Sequence, residues 1–240
     1  MSSTGDNIDA TVGSWNFSGD VVPNFDAHVA KSVPLYHEGH QLICDMSDFF
    51  INNESIAVDI GCSTGSLLVK LAKHNMEKPG ARFIGIDCEP DMVNFARQQI
   101  NLAENLNISV QHGDIVETEF DEPLDFIVSY YTLQFIRPAF RQAVVDKIFQ
   151  SLNWGGALLL FEKVRAPDAR FQDMLTSLYN DYKLNQGYTE SDIISKSRSL
   201  KGVLEPFSTQ ANIDMLRRAG FSDIISIQKY ICFEGFLAIK

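Results

Sequence analysis

The chain of 240 residues has few cysteines and no long apolar run. Its four cysteines are Cys44, Cys62, Cys88 and Cys232. Their spacing fits neither a CxxC motif nor a metal site, so we expect reduced thiols, no bound metal and a cytoplasmic protein. No stretch approaches about 18 consecutive apolar residues, and the first 20 residues lack a basic start followed by an apolar run. We therefore expect neither a membrane span nor a signal peptide.

Positive charge is also scarce, with 20 lysines and arginines against 31 aspartates and glutamates and a net charge of −11 at pH 7. An acidic surface repels phosphate backbones, so direct nucleic-acid binding is disfavoured and a small-molecule substrate is expected. The hydrophobic fraction of 45% is ordinary for a globular protein, and the length fits one α/β domain with a full core.

From residue 55 onward, short apolar runs alternate with helical patterns. Strands are predicted over 55–60, 82–87, 108–112, 124–130, 156–164, 223–230 and 232–239. Helices are predicted over 65–75, 90–104, 138–152 and 208–219. This alternation predicts a Rossmann-like α/β fold, a seven-stranded and mostly parallel sheet with helices on both faces. The closing hairpin predicts an antiparallel C-terminal edge strand.

Three segments lie outside this alternation. Residues 1–14 are polar and weakly patterned, and we expect a disordered tail before a single domain over 15–240. Apolar residues at helical spacing from Leu35 to Phe50 predict an N-terminal helix. Residues 166–205 are polar with a helical pattern, and we expect a cap over the carboxyl edge of the sheet. Its aromatic side, from Phe171 to Tyr182, is expected to belong to the core.

The stretch from Val58 to Gly65 follows the first predicted strand and begins the first helix, which is where open α/β sheets bind ligands. Gly61 permits a tight turn, and Gly65 permits the helix to start close to the strand. Cys62 stands where a dinucleotide-binding GxGxxG motif has glycine, and no Walker lysine follows. Taken alone, the turn is also compatible with a plain strand-to-helix connection.

Carboxylates follow the next two predicted strands. Asp87 can accept both ribose hydroxyls of an adenosine, although this feature alone fits both NAD and S-adenosylmethionine. Asp114 can accept a hydrogen bond from an adenine amino group, with Ile115 flanking the ring; the alternative for Asp114 is a cap of the following loop. Because the turn and both aspartates lie at the carboxyl ends of successive strands, together they predict a nucleoside site.

Histidine and glutamate offer further candidates near this edge. His37 and His40 lie three apart on a predicted helix, but no carboxylate completes a zinc site. We expect His37, next to Tyr36, to line the pocket. Glu162 ends the fifth predicted strand, where it either approaches the ligand or forms a surface salt bridge.

The motifs of this chain resemble those of the class I S-adenosylmethionine-dependent methyltransferases. They are most similar to one branch, the carboxy-S-adenosylmethionine synthases of the tRNA wobble-uridine oxyacetate pathway. The matching positions are Trp15 and Phe17, Ser32 to Tyr36, Gly61 to Ser63, Thr132 to Phe135, Gly155 to Lys163, Asn185 to Tyr188 and Ser197 to Ser199. The resemblance implies that S-adenosylmethionine (SAM), or its carboxylated form carboxy-SAM, is the cofactor.

The resemblance also implies roles for individual residues. Arg198 would hold the extra carboxylate of carboxy-SAM, reaching in from the second subunit of a homodimer. Tyr36, Tyr130 and Arg198 are predicted to be catalytic. The predicted cofactor-binding residues are Tyr36, Asp59, Gly61, Cys62, Ser63, Gly65, Asp87, Cys88, Asp114, Ile115, Tyr130 and Arg198.

The implied reaction converts SAM and prephenate to carboxy-SAM and phenylpyruvate, with the methyl carbon attacking as an ylide. Two positions depart from the family pattern, because Tyr130 replaces an asparagine and Ser197 replaces a lysine. A phenol at the end of the fourth predicted strand would change the pocket near the transferred group. The alternative is a SAM-dependent methyltransferase acting on a small metabolite, and a third interpretation is a non-catalytic SAM-binding subunit.

Overall fold

Helices and strands alternate along most of the chain in the computed structural model, which describes residues 2–5, 9–19, 21–103 and 106–240. The strands are β1 (Ser2–Ser3), β2 (Asp9–Ala10), β3 (Ile56–Ile60), β4 (Arg82–Asp87), β5 (Ile108–His112), β6 (Leu124–Tyr130), β7 (Leu152–Lys163), β8 (Asp223–Tyr230) and β9 (Phe233–Ile239). The helices are α1 (Val21–Ser32), α2 (Tyr36–Ser47), α3 (Ser66–His74), α4 (Pro90–Asn101), α5 (Pro138–Ser151), α6 (Ala169–Asn185), α7 (Glu190–Ser199) and α8 (Thr209–Ala219).

Seven strands form one sheet in the order β5-β4-β3-β6-β7-β9-β8. The pairs β3–β4, β3–β6, β4–β5 and β6–β7 are parallel, whereas β9 runs antiparallel to both of its neighbours. The prediction of a seven-stranded, mostly parallel sheet is confirmed. The antiparallel strand lies one position further in than predicted, because β9 is apolar and buried almost throughout and β8, which is partly exposed, takes the edge.

The sheet separates two apolar layers because neighbouring side chains of a strand point to opposite faces. In β6, Phe126 belongs to the layer that packs against α2, α3 and α4. Ile127 belongs to the opposite layer, which packs against α5 and α8. Burial on both faces leaves the carboxyl ends of the parallel strands as the place where polar side chains can gather.

The N-terminal part contains one helix that the sequence predicted and one that it did not. The helix predicted from Leu35 to Phe50 is confirmed as α2, and α1, whose apolar residues Val21, Val22, Phe25 and Val29 recur at helical spacing, precedes it. In the segment 1–14, β1 pairs with β2 in a two-stranded ribbon. The disordered tail stays a prediction, because residues 1 and 6–8 of this segment lie outside the described ones.

Helices α6 and α7 occupy most of the segment expected to form a cap. The predicted core role of the aromatic side of α6 is only partly right. Leu175 and Tyr179 pack against the core, but one stripe of α6 is about half exposed. The exposed stripe consists of Phe171, Met174 and Leu178. Within the described parts of the chain, no helix is long and apolar enough to cross a membrane.

Candidate functional site

The carboxyl ends of β3 to β7 border a cavity of about 970 Å³ that α1, α2, α6 and α7 also line. Ten of the predicted cofactor-binding residues lie in its wall. They are Tyr36, Asp59, Gly61, Cys62, Ser63, Asp87, Cys88, Asp114, Ile115 and Tyr130. Gly65 and Arg198 are not part of this lining. The tertiary structure therefore brings most of the predicted set together.

The turn after β3 takes backbone conformations that favour glycine. Gly61 and Gly65 have φ values of 73° and 78°, and a Cβ on Gly61 would collide with the side chain of Thr132. Gly65 lets α3 approach α4, because a Cβ there would already lie 3.2 Å from the Cβ of Ala96. The backbone N–H groups of Gly61 and Cys62 donate to the carbonyl of Ile86, at 2.7 and 3.1 Å. The turn is thus clamped onto β4 with its backbone bordering the cavity.

Asp87 organises the turn from the end of β4. Its Oδ2 accepts the backbone N–H of Ser63 at 2.8 Å, and its Oδ1 accepts that of Glu89 at 2.9 Å. Burial raises the pKa of Asp87, and the two backbone hydrogen bonds oppose that rise. A carboxylate oxygen can accept more than one hydrogen bond, so both oxygens retain capacity for the hydroxyls of a ribose.

Asp59 lies next to this carboxylate near the end of β3 and is fully buried. Burial raises the pKa of Asp59 to about 7, and the negative charge of Asp87 adds to the rise. Near neutral pH, Asp59 therefore carries a proton in a large fraction of molecules. A protonated carboxyl can donate a hydrogen bond, and it reduces the like-charge repulsion with Asp87.

The loop after β5 holds the next predicted pair. Asp114 caps this loop, since its Oδ1 accepts the backbone N–H of Val116 at 2.9 Å. The capping alternative is thus correct, and a contact with adenine stays a prediction. Ile115 is buried in the apolar layer while also bordering the cavity. Cys88, directly after the neighbouring strand β4, is exposed and also borders the cavity, and its carbonyl lies 3.0 Å from Nε2 of His112.

Aromatic side chains form the wall between α2 and β6. The Tyr36 ring packs against His40, with 4.5 Å between ring centroids, and against Tyr130, with 5.3 Å. The expectation for His37 is wrong, because His37 is exposed and His40 lines the cavity instead. One helical residue turns the side chain by about 100°, so residue 37 points away when residues 36 and 40 point inward.

Tyr130 fits because α2 has a glycine opposite it. A Cβ on Gly39 would collide with Oη of Tyr130, so glycine makes room for the phenol. The hydroxyl donates to the backbone carbonyl of Tyr36 at 2.7 Å. The phenol that replaces the asparagine of the family pattern is therefore fixed to the backbone of α2, and its ring forms part of the cavity wall.

Arg198 does not reach the cavity of its own chain. It lies exposed near the end of α7, while Lys196 and Ser197 on the same helix border the cavity. The role carried over by resemblance acts between subunits, and the single chain leaves that role a prediction. The structure does link this region to the N-terminal segment, since the N–H of Gly13 donates to the carbonyl of Arg198 at 3.1 Å.

Both alternatives that the sequence left open for Glu162, a ligand contact and a surface salt bridge, are wrong. Glu162 is buried one residue before the end of β7 without bordering the cavity, so it forms neither a ligand contact nor a surface salt bridge. Its Oε1 lies 3.3 Å from the donating backbone N–H of Gln134. Burial raises the pKa of Glu162 to about 8, and the nearby Arg141 opposes the rise. The residue supports the loop after β6 from beneath.

Three residues of the cavity wall were missed as site candidates. Lys163 ends β7, Lys183 lies on α6 and Tyr131 follows β6, and all three border the cavity. Tyr131 has a φ of 61°, a left-handed conformation that is uncommon for a bulky residue and often marks a functional site. Sequence patterns contain no signal for Lys183, whose position depends on how α6 packs over the sheet.

Comparison with known proteins bears on this site. Residues 57–156 match the family described as a methyltransferase domain. The chain is 36% identical to a carboxy-S-adenosyl-L-methionine synthase from Staphylococcus epidermidis, covering 94% of this chain and 97% of the relative. It is 34% identical to one from Campylobacter lari, covering 94% of each protein.

A solved structure shares the fold. Human N-acetylserotonin methyltransferase, determined in complex with SAM, superposes with a TM-score of 0.59 at 19% identity, covering 89% of this chain and 54% of that one. At that identity the likeness supports the fold alone. The relatives at 34–36% identity cover nearly the whole length of both proteins. The chain therefore belongs to the carboxy-S-adenosyl-L-methionine synthase family, built on the class I methyltransferase fold.

Proposed function

We propose that this protein is a transferase that converts SAM and prephenate to carboxy-SAM and phenylpyruvate. The observation that carries the proposal is the single continuous cavity, in which the glycine turn and Asp87 form one end and cationic residues of β7 and α6 form another part of the wall. Its volume of about 970 Å³ lies near the upper end for small-molecule sites, so two small ligands can meet there.

The SAM end of the cavity is assigned residue by residue within the same proposal. Asp87 accepts the ribose hydroxyls, Asp114 and Ile115 contact the adenine, and the turn from Gly61 to Ser63 lies under the methionine part. Tyr36 and Tyr130 border the transferred group. The turn geometry and the spare acceptor capacity of Asp87 support this assignment.

The proposed reaction balances without a further reactant. Prephenate loses its ring carboxylate as CO₂ and its ring hydroxyl as hydroxide, which leaves the aromatic ring of phenylpyruvate. The sulfonium methyl group loses one proton, which joins the hydroxide to form water. The methyl carbon then forms a bond to CO₂ and becomes a carboxymethyl group. The cavity contributes by holding both reactants together and keeping water from the carbanion.

Mass spectrometry tests this proposal directly. Incubation with SAM and prephenate labelled with ¹³C at the ring carboxyl group is expected to yield carboxy-SAM carrying the label and an equal amount of phenylpyruvate. The ligand that remains bound through purification is expected to be heavier than SAM by one CO₂. If the labelled carbon never reaches the sulfonium compound, while SAM loses its methyl group to a small acceptor, the protein is a methyltransferase instead. If neither ligand is consumed, the protein only binds SAM.

A homodimer is the second part of the proposal. Residues Phe171, Met174 and Leu178 form an exposed apolar stripe on the cap, and Arg198 is exposed on the neighbouring helix. A second copy that covers the stripe would shield it from water and could bring its own Arg198 to this cavity. The four free thiols of the chain fit a reducing location such as the cytoplasm.

Light scattering measures the assembly. We expect twice the chain mass of 26.9 kDa at micromolar concentration. Leu178→Glu is expected to shift the protein toward the monomer, because it places a charge within the apolar stripe. Ile225→Glu is the matched control, since Ile225 is 60% exposed on the edge strand β8. A parent protein with the mass of one chain would contradict the dimer.

A further inference from the structure

Two ammonium groups, one on a buried and one on a half-buried lysine, face the cavity away from the glycine turn. The side chains of Lys163 and Lys183 lie against the same ring, with their Nζ atoms 4.4 and 4.9 Å from the centroid of Tyr179. Lys183 is only 7% exposed. The ring itself is fixed, because Oη of Tyr179 donates to the backbone carbonyl of Ser32 at 2.8 Å. The two lysines therefore share one rigid aromatic support.

Neither ammonium group has a carboxylate or hydrogen-bonding partner among the described residues, and the acidic group near both is the thiol of Cys232, whose pKa burial raises. Burial and, to a lesser extent, the positive charge of Lys163 together lower the pKa of Lys183 to about 8. Burial likewise lowers the pKa of Lys163. A buried charge without a counter-charge is costly, and two of them side by side repel each other. Two neighbouring cations without a carboxylate partner are the arrangement expected of an anion-binding site whose anion is not bound.

Tyr131 adds a third donor to the same part of the wall. Its ring lies 5.7 Å from that of Phe233, which also contacts Lys163, with 5.8 Å between Nζ and the ring centroid. Tyr131 is 7% exposed, and its Oη is buried with no hydrogen-bond partner in the described structure. A buried hydroxyl without a partner is rare in folded proteins. Glu162 and Cys232 are the acidic groups near it, and neither accepts a hydrogen bond from this hydroxyl, so a ligand in the cavity can supply the acceptor.

The second substrate of the proposed reaction carries two carboxylates. The change in charge of each carboxylate during the reaction indicates which one these donors bind. The ring carboxylate must become neutral CO₂, and an ion pair would stabilise its charged ground state more than the transition state. The carboxylate of the 2-oxo acid side chain keeps its charge throughout, so ion pairing can hold it without slowing the reaction. The product retains this side chain.

We propose that Lys163, Lys183 and the hydroxyl of Tyr131 bind the 2-oxo acid carboxylate of the second substrate and orient its ring carboxylate toward the SAM methyl group. The inference rests on the proposed function, since it takes its ligand from that reaction. The two ammonium groups present donors only, and the hydroxyl of Tyr131 can donate a further hydrogen bond, which matches a carboxylate and disfavours a cationic ligand.

Kinetics and calorimetry on Lys183→Met test the inference. We expect the KM for prephenate to rise about tenfold to a hundredfold, as for loss of a hydrogen bond to a charged group. The affinity for phenylpyruvate should fall by a similar factor, and the affinity for SAM should stay within about twofold. The melting temperature should not fall, because methionine replaces the apolar part of the lysine side chain without a buried charge.

Further variants separate binding from folding. Lys163→Met should act in the same direction as Lys183→Met, and Tyr131→Phe should raise the KM for prephenate about tenfold or more, as for a hydrogen bond to a charged group. Tyr131→Phe removes a single oxygen and should fold like the parent. It therefore still tests the inference if a lysine variant fails to fold. Lys73→Met is the control, because Lys73 is an exposed lysine on α3 outside the cavity wall.

The outcomes discriminate between the inference and the function on which it rests. A parent enzyme that forms carboxy-SAM, together with lysine variants whose KM for prephenate and affinity for phenylpyruvate are unchanged, overturns the inference alone. A parent enzyme that forms no carboxy-SAM from prephenate overturns the proposed function and the inference with it. A loss of prephenate and SAM binding together with a lower melting temperature would indicate a structural role for these lysines, which also overturns it.

Discussion

Replacing Arg198 with alanine is expected to weaken the binding of carboxy-SAM about a hundredfold, while the affinity for SAM changes little. The reason is that the carboxylate would enter the cavity without its cation, at a cost on the order of 3 kcal/mol. The measurement is a competition titration of both ligands against the parent and the Arg198→Ala variant. Arg217→Ala is the control, since Arg217 is exposed on α8 and is not part of the cavity wall.

A parent protein that binds both ligands equally well would contradict this role for Arg198. It would also favour the methyltransferase alternative, because a methyltransferase has no use for a partner to the added carboxylate. The position of Arg198 makes the titration informative, since the residue lies outside the cavity of its own chain. Any discrimination that depends on it must therefore involve a second subunit or a movement of α7.

Replacing Asp87 with alanine is expected to weaken SAM binding by roughly tenfold or more, as for the loss of charge-assisted hydrogen bonds. Two effects combine, because the ribose loses an acceptor and the N–H groups of Ser63 and Glu89 lose the oxygens that hold the turn. Calorimetry with SAM measures the change. Asp121→Ala removes the same charge from an exposed loop and should leave the affinity unaltered.

Unchanged affinity in Asp87→Ala would remove this residue from the site. Asp87→Asn distinguishes the two effects, since its amide oxygen can still accept one backbone N–H. If the turn matters most, asparagine should recover part of the affinity. If the ribose contact matters most, asparagine and alanine should weaken binding to a similar extent.

The two variants together reveal which subunit supplies Arg198. Mixing equal amounts of Asp87→Ala and Arg198→Ala proteins under conditions of subunit exchange makes half of the dimers hybrid. If Arg198 acts across the interface, each hybrid has one intact site, and about a quarter of the parent activity returns. If Arg198 acts within its own chain, every site in the mixture lacks one of the two residues and no activity returns.

The sequence alone determined the sheet and the residues that border the cavity at the glycine turn. Apolar runs of strand length and helical spacing between them are local features, and β4, β5 and β6 begin and end where the pattern predicts. Asp87 was found for the same reason, because a residue that ends a parallel strand lies at the ligand-binding edge whatever the rest of the chain does. The glycines at positions 61 and 65 likewise indicated a tight turn with positive φ, because glycine adopts that conformation without steric cost.

Only the tertiary structure decided which other side chains reach the cavity. A shift of one helical residue separates His40, which lines it, from His37, which does not. Glu162 and Lys163 are adjacent in sequence, yet alternation along β7 buries one beneath the sheet edge and turns the other toward the cavity. Lys183 meets Lys163 only because α6 folds back over the sheet, and such long-range packing leaves no local pattern in the sequence.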